Sequence, residues 1–311
     1  MGHDHASTAT SNRSRLVVVI VIVAVVLVAE TVGAWLTGSL ALLADAGHMF
    51  SDLAGLVIAL IATVVAARPA SDRQTFGYQR AEVFGAMLNG LILLVVAGFV
   101  VVGAVNRLVI GAATEVLAGP MLVVAVIGLV ANVAAILLLR PAAAGSINMR
   151  GAYLEVLGDA LGSVAVIVAA VLILTTGFVQ ADAIASLVIA AMIVPRAIHL
   201  LRDVVRVFSE SVPADTDVHA IRQHLLGTPG VVTVHDVHVW AITSGSHVFS
   251  AHIVVEPELL ASGRSGQLLD QLSDCLSQHF DVDHSTFQLE PADHAADAEH
   301  SHHSQIGRAH V

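Results

Sequence analysis

The chain has 311 residues, of which 56% are hydrophobic and only 13% are charged, and its formal net charge is -11. This balance is too apolar for an ordinary soluble globular protein, and it predicts a membrane protein without a nucleic-acid partner. The long apolar runs all precede Leu201, whereas the negative charge is concentrated after it. We therefore expect a membrane part followed by an acidic soluble part.

Six segments contain the roughly 20 apolar residues that a membrane-spanning helix needs. These predicted spans are Leu16–Leu36, Leu40–Ala66, Val83–Val105, Pro120–Leu139, Leu154–Thr175 and Ala181–Leu201, within a six-helix membrane domain at 16–208. The arginines that flank the spans on one side are Arg13, Arg15, Arg68, Arg73, Arg80, Arg140, Arg150, Arg202 and Arg206, whereas the other side has only Arg107. Because cytoplasmic loops carry an excess of arginine and lysine, both termini are predicted to be cytoplasmic, in a multi-pass protein of the inner (plasma) membrane.

After residue 208 the pattern changes to that of a small soluble α/β domain, predicted at 209–291. Its elements are a helix within 215–227, β-branched runs at 231–242 and 247–256 that form a hairpin, a helix at 267–280 and a strand at 285–290. Asp215 or Thr216 is the expected N-cap of the first helix, and Gly227 is its expected stop. This α-β-β-α-β order predicts two helices on one face of a small sheet.

The two ends of the chain contain histidines and little apolar sequence. We expect a cytoplasmic N-terminal segment at 1–15 and a disordered tail at 292–311, whose last seven residues (305–311) resemble a translated sequencing adapter. The single cysteine, Cys275, cannot form a disulfide within the chain, so it is predicted to be a free, packed thiol.

Pairs of ionisable residues lie inside two of the predicted spans. A charge at the centre of a bilayer costs roughly 2.5 to 3.5 kcal/mol, so such residues are functional by default. His48 and Asp52 are four residues apart, which places them on one face of a helix with Asp45, and Glu155 and Asp159 repeat this spacing in the fifth span. Two such pairs offer the four ligands of a tetrahedral zinc ion. The alternative is that these acids are protonated polar groups packed between helices.

The stretches "DAGHMFSDLAGL" and "LEVLGDALGSV" resemble the cation diffusion facilitator family, as do "FGYQRAE", "VHDVHVW" and "SAHIVVE". The resemblance covers almost the whole chain. It implies a homodimer with six spans and a ferredoxin-like cytoplasmic domain, which exports zinc and related divalent cations in exchange for protons. It also implies that His48, Asp52 and Asp159 belong to the transport site. Glu155 departs from the family pattern, in which this position is histidine or aspartate.

The resemblance further implies a second metal site in the cytoplasmic domain. His235, His252, His284 and Glu290 are the residues that it supports as a regulatory site at the dimer interface. Each of these histidines on its own would more often be a surface residue. His238 shares a predicted strand face with Asp236, and we interpret it as structural.

These observations predict a proton-coupled antiporter rather than an enzyme. We expect zinc as substrate and as regulatory ligand, with cadmium or cobalt tolerated and no cofactor. The extra oxygen ligand from Glu155 favours manganese or iron(II) as the alternative substrate. An intramembrane zinc hydrolase would need a His-Glu-x-x-His helix, which does not occur, and a membrane-anchored metal sensor leaves the buried pairs unexplained. With the three carboxylates ionised and His48 neutral, a loaded divalent ion leaves one uncompensated negative charge, so either a carboxyl keeps its proton or a nearby donor compensates it.

Overall fold

The computed structural model describes residues 4–110, 115–143, 147–243, 245–280 and 282–292. The predicted tail beyond Ala292, including 305–311, lies outside the described residues, as do the first three residues.

Six long helices occupy the described part of the chain up to residue 208. They are α1 (Asp4–Thr37), α2 (Leu40–Ala66), α3 (Ala81–Val109), α4 (Ala118–Ala143), α5 (Ile147–Thr176) and α6 (Gln180–Phe208). Each contains a stretch that is long and apolar enough to cross a membrane, which confirms the six predicted spans. In α1 this stretch is Val17–Thr37, so the helix begins well before its apolar part.

Small residues dominate the core of the membrane helices. Ala41 and Ala44 on α2 and Ala169 and Ala170 on α5 are buried in one hydrophobic cluster, and α4 packs against both α1 and α5. Small side chains let helix backbones approach closely where lipid offers no hydrophobic driving force. The same close approach brings the polar residues of α2 and α5 within reach of each other.

Asp182, near the start of α6, joins three helices at one end of the membrane unit. Its buried carboxylate accepts hydrogen bonds from Ser39 Oγ (2.5 Å) and from the backbone N–H groups of Leu40 (2.8 Å) and Ala41 (3.2 Å). The Arg107 guanidinium on α3 donates to the same carboxylate over 2.9 Å. Asp182 thus caps the N-terminus of α2, where unpaired N–H groups and the helix dipole favour a negative charge.

The C-terminal domain contains a three-stranded sheet with helices. Its elements are α7 (Val218–Leu226), β1 (Val231–Thr243), β2 (Ser246–Val255), α8 (Pro257–Ala261), α9 (Ser265–His279) and β3 (Val282–Pro291). The sheet order is β1-β2-β3, in which β1 and β2 are antiparallel and β2 and β3 are parallel. This agrees with the predicted α-β-β-α-β order, with the short α8 in addition. The predicted N-cap of α7 was wrong: Asp217 is the cap, because its side chain accepts from the N–H groups of His219 and Ala220.

The core of this domain lies between the sheet and the helices α7 and α9. Ile221 on α7 and Leu272 on α9 are fully buried together with Phe249 and Ile253 on β2. Helical spacing brings the apolar residues of α9 to one side, so the opposite side of the helix remains polar. His279 and other polar residues of α7 and α9 are consequently left near the surface.

The described residues form two compact units. One comprises the chain up to Ala62 with Gly85–Leu201, and the other comprises Thr63–Phe84 with the chain from Arg202 onward. Within the second unit, Thr243 Oγ1 donates to a Glu82 carboxylate oxygen over 3.1 Å. The segment between α2 and α3 is therefore grouped with the C-terminal domain.

Candidate metal sites

The middle of α2 and the first half of α5 bring three potential metal ligands together inside the membrane unit. His48 Nε2 lies 3.7 Å from Asp52 Oδ2 and 3.9 Å from Asp159 Oδ1. One ligand atom from each residue can be chosen so that all three lie within 4.8 Å of one another. We call His48, Asp52 and Asp159 the intramembrane cluster.

The intramembrane cluster has nearly the dimensions of a zinc site. Zinc binds nitrogen and oxygen at about 2.0–2.2 Å, which places the ligand atoms of a tetrahedral site about 3.3–3.6 Å apart. The observed separations are a few tenths of an ångström larger, which small side-chain rotations can close. Asp159 is 4% exposed, and the side chains of His48 and Asp52 are each 13% exposed. Water is therefore largely excluded from this cluster.

Glu155, the fourth predicted ligand, is not part of the intramembrane cluster. Its carboxylate oxygen Oε1 lies 2.8 Å from Nη2 of Arg196 on α6. The same nitrogen lies 3.3 Å from Asp52 Oδ1. Glu155 is thus engaged by a guanidinium at the edge of the cluster, where its side chain remains 43% exposed.

Arg196 was missed in the sequence analysis, because arginines were counted only where they flank the predicted spans. It lies inside the predicted sixth span, directly after Pro195, which interrupts the hydrogen bonding of α6. The cost of placing an arginine inside an apolar helix was the signal that could have identified it. In the structure this cost is offset by the two carboxylates that Arg196 contacts.

A second group of polar side chains adjoins the intramembrane cluster. Ser163 Oγ donates to the Asp159 carbonyl (3.1 Å) and contacts Asp45 Oδ2 at 3.5 Å, while Asn132 Nδ2 donates to Ser163 Oγ at 3.4 Å. A Cβ atom at Gly162 would overlap the Asp45 carboxylate, so this glycine makes room for the acid. Asp45 therefore supports the cluster from the side without being within its set of ligand atoms.

Three of the four predicted residues come together in the C-terminal domain. His235 Nε2 lies 3.2 Å from Glu290 Oε2, and His252 Nδ1 lies 2.8 Å from Glu290 Oε1. His235 and His252 are direct cross-strand partners on β1 and β2, and the Glu290 side chain on β3 is 2% exposed. We call His235, His252 and Glu290 the sheet cluster; its ligand atoms also lie within 4.8 Å of one another.

An irregularity in β1 adds an acid beside the sheet cluster. Asp236 has a positive φ of 50°, and the pairing register of β1 with β2 shifts between His235 and His238. This conformation is unusual for a residue other than glycine and is typical of a strand that re-aims a side chain. Asp236 Oδ2 lies 3.7 Å from His252, and Asp236 Oδ1 lies 3.0 Å from His238.

His284, the remaining predicted ligand, does not join the sheet cluster within one chain. It is exposed and packs edge-on against the ring of Phe76, with the ring centroids 5.5 Å apart. A strand rises about 3.3 Å per residue, so the six residue steps from His284 to Glu290 separate them by about 20 Å along β3.

Both the membrane part and the C-terminal domain of the chain are similar to known proteins. Residues 16–209 match the family profile described as "Cation efflux transmembrane domain", and residues 213–292 match "Cation efflux protein, cytoplasmic domain". The "Cation efflux system protein CzcD" of Alcaligenes sp. (strain CT14) is 38% identical over 96% of this chain and 93% of its own. The "Cadmium, cobalt and zinc/H(+)-K(+) antiporter" of Bacillus velezensis is 37% identical over 96% of this chain and 94% of its own.

One solved structure is similar to the C-terminal domain. It is described as the metal-bound C-terminal domain of the CzcD transporter from Cupriavidus metallidurans, and it is 35% identical. The similarity covers 24% of this chain and 99% of that chain, with a TM-score of 0.22.

Proposed function

The chain belongs to the cation efflux family, whose members are membrane transporters rather than enzymes, and we propose that it is a proton-coupled antiporter exporting zinc. Cadmium and cobalt are the expected secondary substrates, as in the name of the Bacillus velezensis relative. The observation that carries this proposal is the intramembrane cluster, in which one imidazole and two carboxylates converge inside an apolar helix bundle.

The donor set of the intramembrane cluster suits exchange of a cation for protons. Metal ligands must be deprotonated, so loading a cation releases protons and reprotonation expels the cation. A neutral His48 with ionised Asp52 and Asp159 carries two negative charges, which a divalent cation cancels. Uncompensated charge is expensive in the bilayer. The loaded state and the protonated, empty state are both neutral, so neither carries that cost.

The pairing of Glu155 with Arg196 supports zinc over manganese. An additional carboxylate ligand would make the site harder and favour manganese, whereas imidazole suits zinc. Arg196 contacts Glu155 at 2.8 Å, so this carboxylate is held by a guanidinium and its negative charge is balanced. The remaining donors, with His48 among them, fit a borderline metal such as zinc.

The arrangement of the chain in the cell is also part of the proposal. The arginine asymmetry supports cytoplasmic termini and export through the inner membrane. The match of residues 213–292 to the family's cytoplasmic domain supports the same orientation. We assign this domain to homodimer formation and the sheet cluster to its regulation by metal.

Transport by purified protein in proteoliposomes tests the proposed function. With zinc outside and an acidic lumen, we expect zinc uptake together with alkalinisation of the lumen. Protons from the lumen expel each cation from its site, and they are released outside when the next cation is loaded. A fluorescent indicator measures zinc uptake, and a second dye measures the lumenal pH. Zinc uptake that ignores an imposed pH gradient would contradict antiport, and absence of any metal uptake by folded protein would contradict export.

The sheet cluster gives a prediction that separates regulation from transport. In full-length protein, the double variant H235A/H252A removes two of its three ligands, so the zinc concentration that gives half-maximal transport should rise by about tenfold, a loss typical of weakened metal sites. The maximal rate should change little. His219→Ala, an exposed histidine on α7, is the matched control. Complete loss of transport in a folded double variant would show that the cluster is not merely regulatory.

A further inference from the structure

We propose that His224, Cys275 and His279 form another metal site of the C-terminal domain, one that binds a thiophilic divalent cation such as zinc or cadmium. These residues lie on α7 and α9, whereas the sheet cluster lies on the strands. The site is independent of the transport reaction. We call the three residues the helix cluster.

The three potential ligands converge from two helices. Cys275 and His279 are one turn apart on α9, which places them on the same face, and α7 contributes His224 from the side. One ligand atom from each residue lies within 4.8 Å of the others, and the two imidazole rings have centroids 4.9 Å apart. Zinc bound at about 2.3 Å from sulfur and 2.0–2.1 Å from nitrogen needs ligand atoms about 3.3–3.6 Å apart, so the side chains must bring them closer than the 4.8 Å limit by about an ångström. Because both histidines are exposed, their side chains can make that adjustment.

A hydrogen bond prepares one imidazole to bind a metal. His279 Nδ1 lies 3.0 Å from the carbonyl oxygen of Cys275. A carbonyl can only accept, so Nδ1 carries the hydrogen and the lone pair of the neutral ring lies on Nε2. Metal-binding histidines typically hold their other ring nitrogen in this way. The ring of His224 is in turn packed edge-on against Phe280, with centroids 5.5 Å apart.

The properties of the thiol favour metal binding over redox chemistry. Cys275 is the single cysteine of the chain, so it has no partner for an intrachain disulfide. Two imidazoles beside one sulfur form a donor set that suits zinc, cadmium and cobalt. Three protein ligands leave a fourth tetrahedral position for water, so a bound cation can exchange.

Cobalt absorption of the full-length protein in detergent and reductant tests this site. A Co²⁺–thiolate bond produces a charge-transfer band in the near ultraviolet, and in this chain such a band can arise only from Cys275. We expect the band in the wild type and its complete loss in Cys275→Ser. His224→Gln and His279→Gln should each weaken cobalt affinity by about tenfold or more, since even outer partners of a metal site contribute that much. His219→Gln on α7 and His252→Gln in the sheet cluster should leave the band unchanged.

A second measurement uses the native thiol without replacing it. Zinc should slow the alkylation of Cys275 by a maleimide at least about tenfold, and this protection should be lost in His224→Gln and in His279→Gln. Absence of the cobalt–thiolate band at saturating cobalt would overturn the proposal. Zinc protection that persists unchanged in both histidine variants would overturn it as well, because the sulfur would then bind metal without the two imidazoles.

Discussion

Replacing Asp159 by asparagine is expected to abolish zinc uptake into everted membrane vesicles while the protein still inserts and folds. The side chain keeps its shape but loses the charge that balances a divalent cation, and its neighbour His48 lies only 3.9 Å away. Removing one partner from a buried charged arrangement costs about 3–5 kcal/mol, which corresponds to a loss of affinity of more than about a hundredfold. Uptake of radioactive zinc over the first seconds is the measurement.

Asp203 provides the matched control for this substitution. It is an exposed acid on α6 whose partner is Arg206, 3.6 Å away. Asp203→Asn removes the same charge by the same change of atoms, and it should leave uptake within about twofold because exposed ion pairs contribute little. Size-exclusion chromatography checks that both variants are folded. Retained transport in Asp159→Asn would mean that the cation passes through the membrane unit without the intramembrane cluster.

The second large effect is expected from Arg196 and should be reversed by a second substitution. Arg196→Gln leaves Glu155 without its counter-charge, so a loaded site acquires one uncompensated negative charge beside the intramembrane cluster. We expect zinc transport to fall by about tenfold or more. The double variant E155Q/R196Q removes both charges together, so most of the transport should return.

The same cycle distinguishes the two roles considered for Glu155. If Glu155 were a metal ligand, Glu155→Gln alone would be the most damaging change and the double variant would not recover. If Glu155 balances Arg196, Glu155→Gln leaves an excess positive charge beside Asp52 and weakens zinc loading, and the second substitution relieves the defect. The zinc uptake rates of the wild type, the two single variants and the double variant give the coupling energy between Glu155 and Arg196. Arg206→Gln, which alters an exposed arginine on the same helix, is the control.

Element types were predictable from the sequence because apolar length and strand alternation are local properties. The six spans and the order of the elements in the C-terminal domain followed from them. The spacing of His48 and Asp52 likewise places both on one helical face, whatever the rest of the fold. The sequence also led to the hypothesis that four residues, Glu155 among them, hold the transported ion. The variants described above are its functional test.

What the sequence did not reveal depends on which elements are neighbours. Glu155 and Asp159 have the same spacing as His48 and Asp52, yet Glu155 faces Arg196 of another helix, which no periodicity indicates. The Cys275–His279 pair was visible as a spacing, but the third residue of its cluster comes from a helix about 50 residues earlier in the chain. Tertiary contacts, rather than local pattern, decide these partners.

Two buried acids of the membrane unit, Asp182 and Glu30, differ in how many hydrogen bonds their carboxylates accept. This difference bears on ion permeation. Asp182 accepts from a hydroxyl, two backbone N–H groups and a guanidinium, which saturates a carboxylate that has about four acceptor sites. Neither carboxylate oxygen of Glu30 has a hydrogen-bond partner among the described residues. A cation entering the helix bundle therefore finds no free lone pair at Asp182. The number of acids in the spans therefore overstates the number of sites that can bind a permeating cation, because an acid that caps a helix has no acceptor site left for the cation.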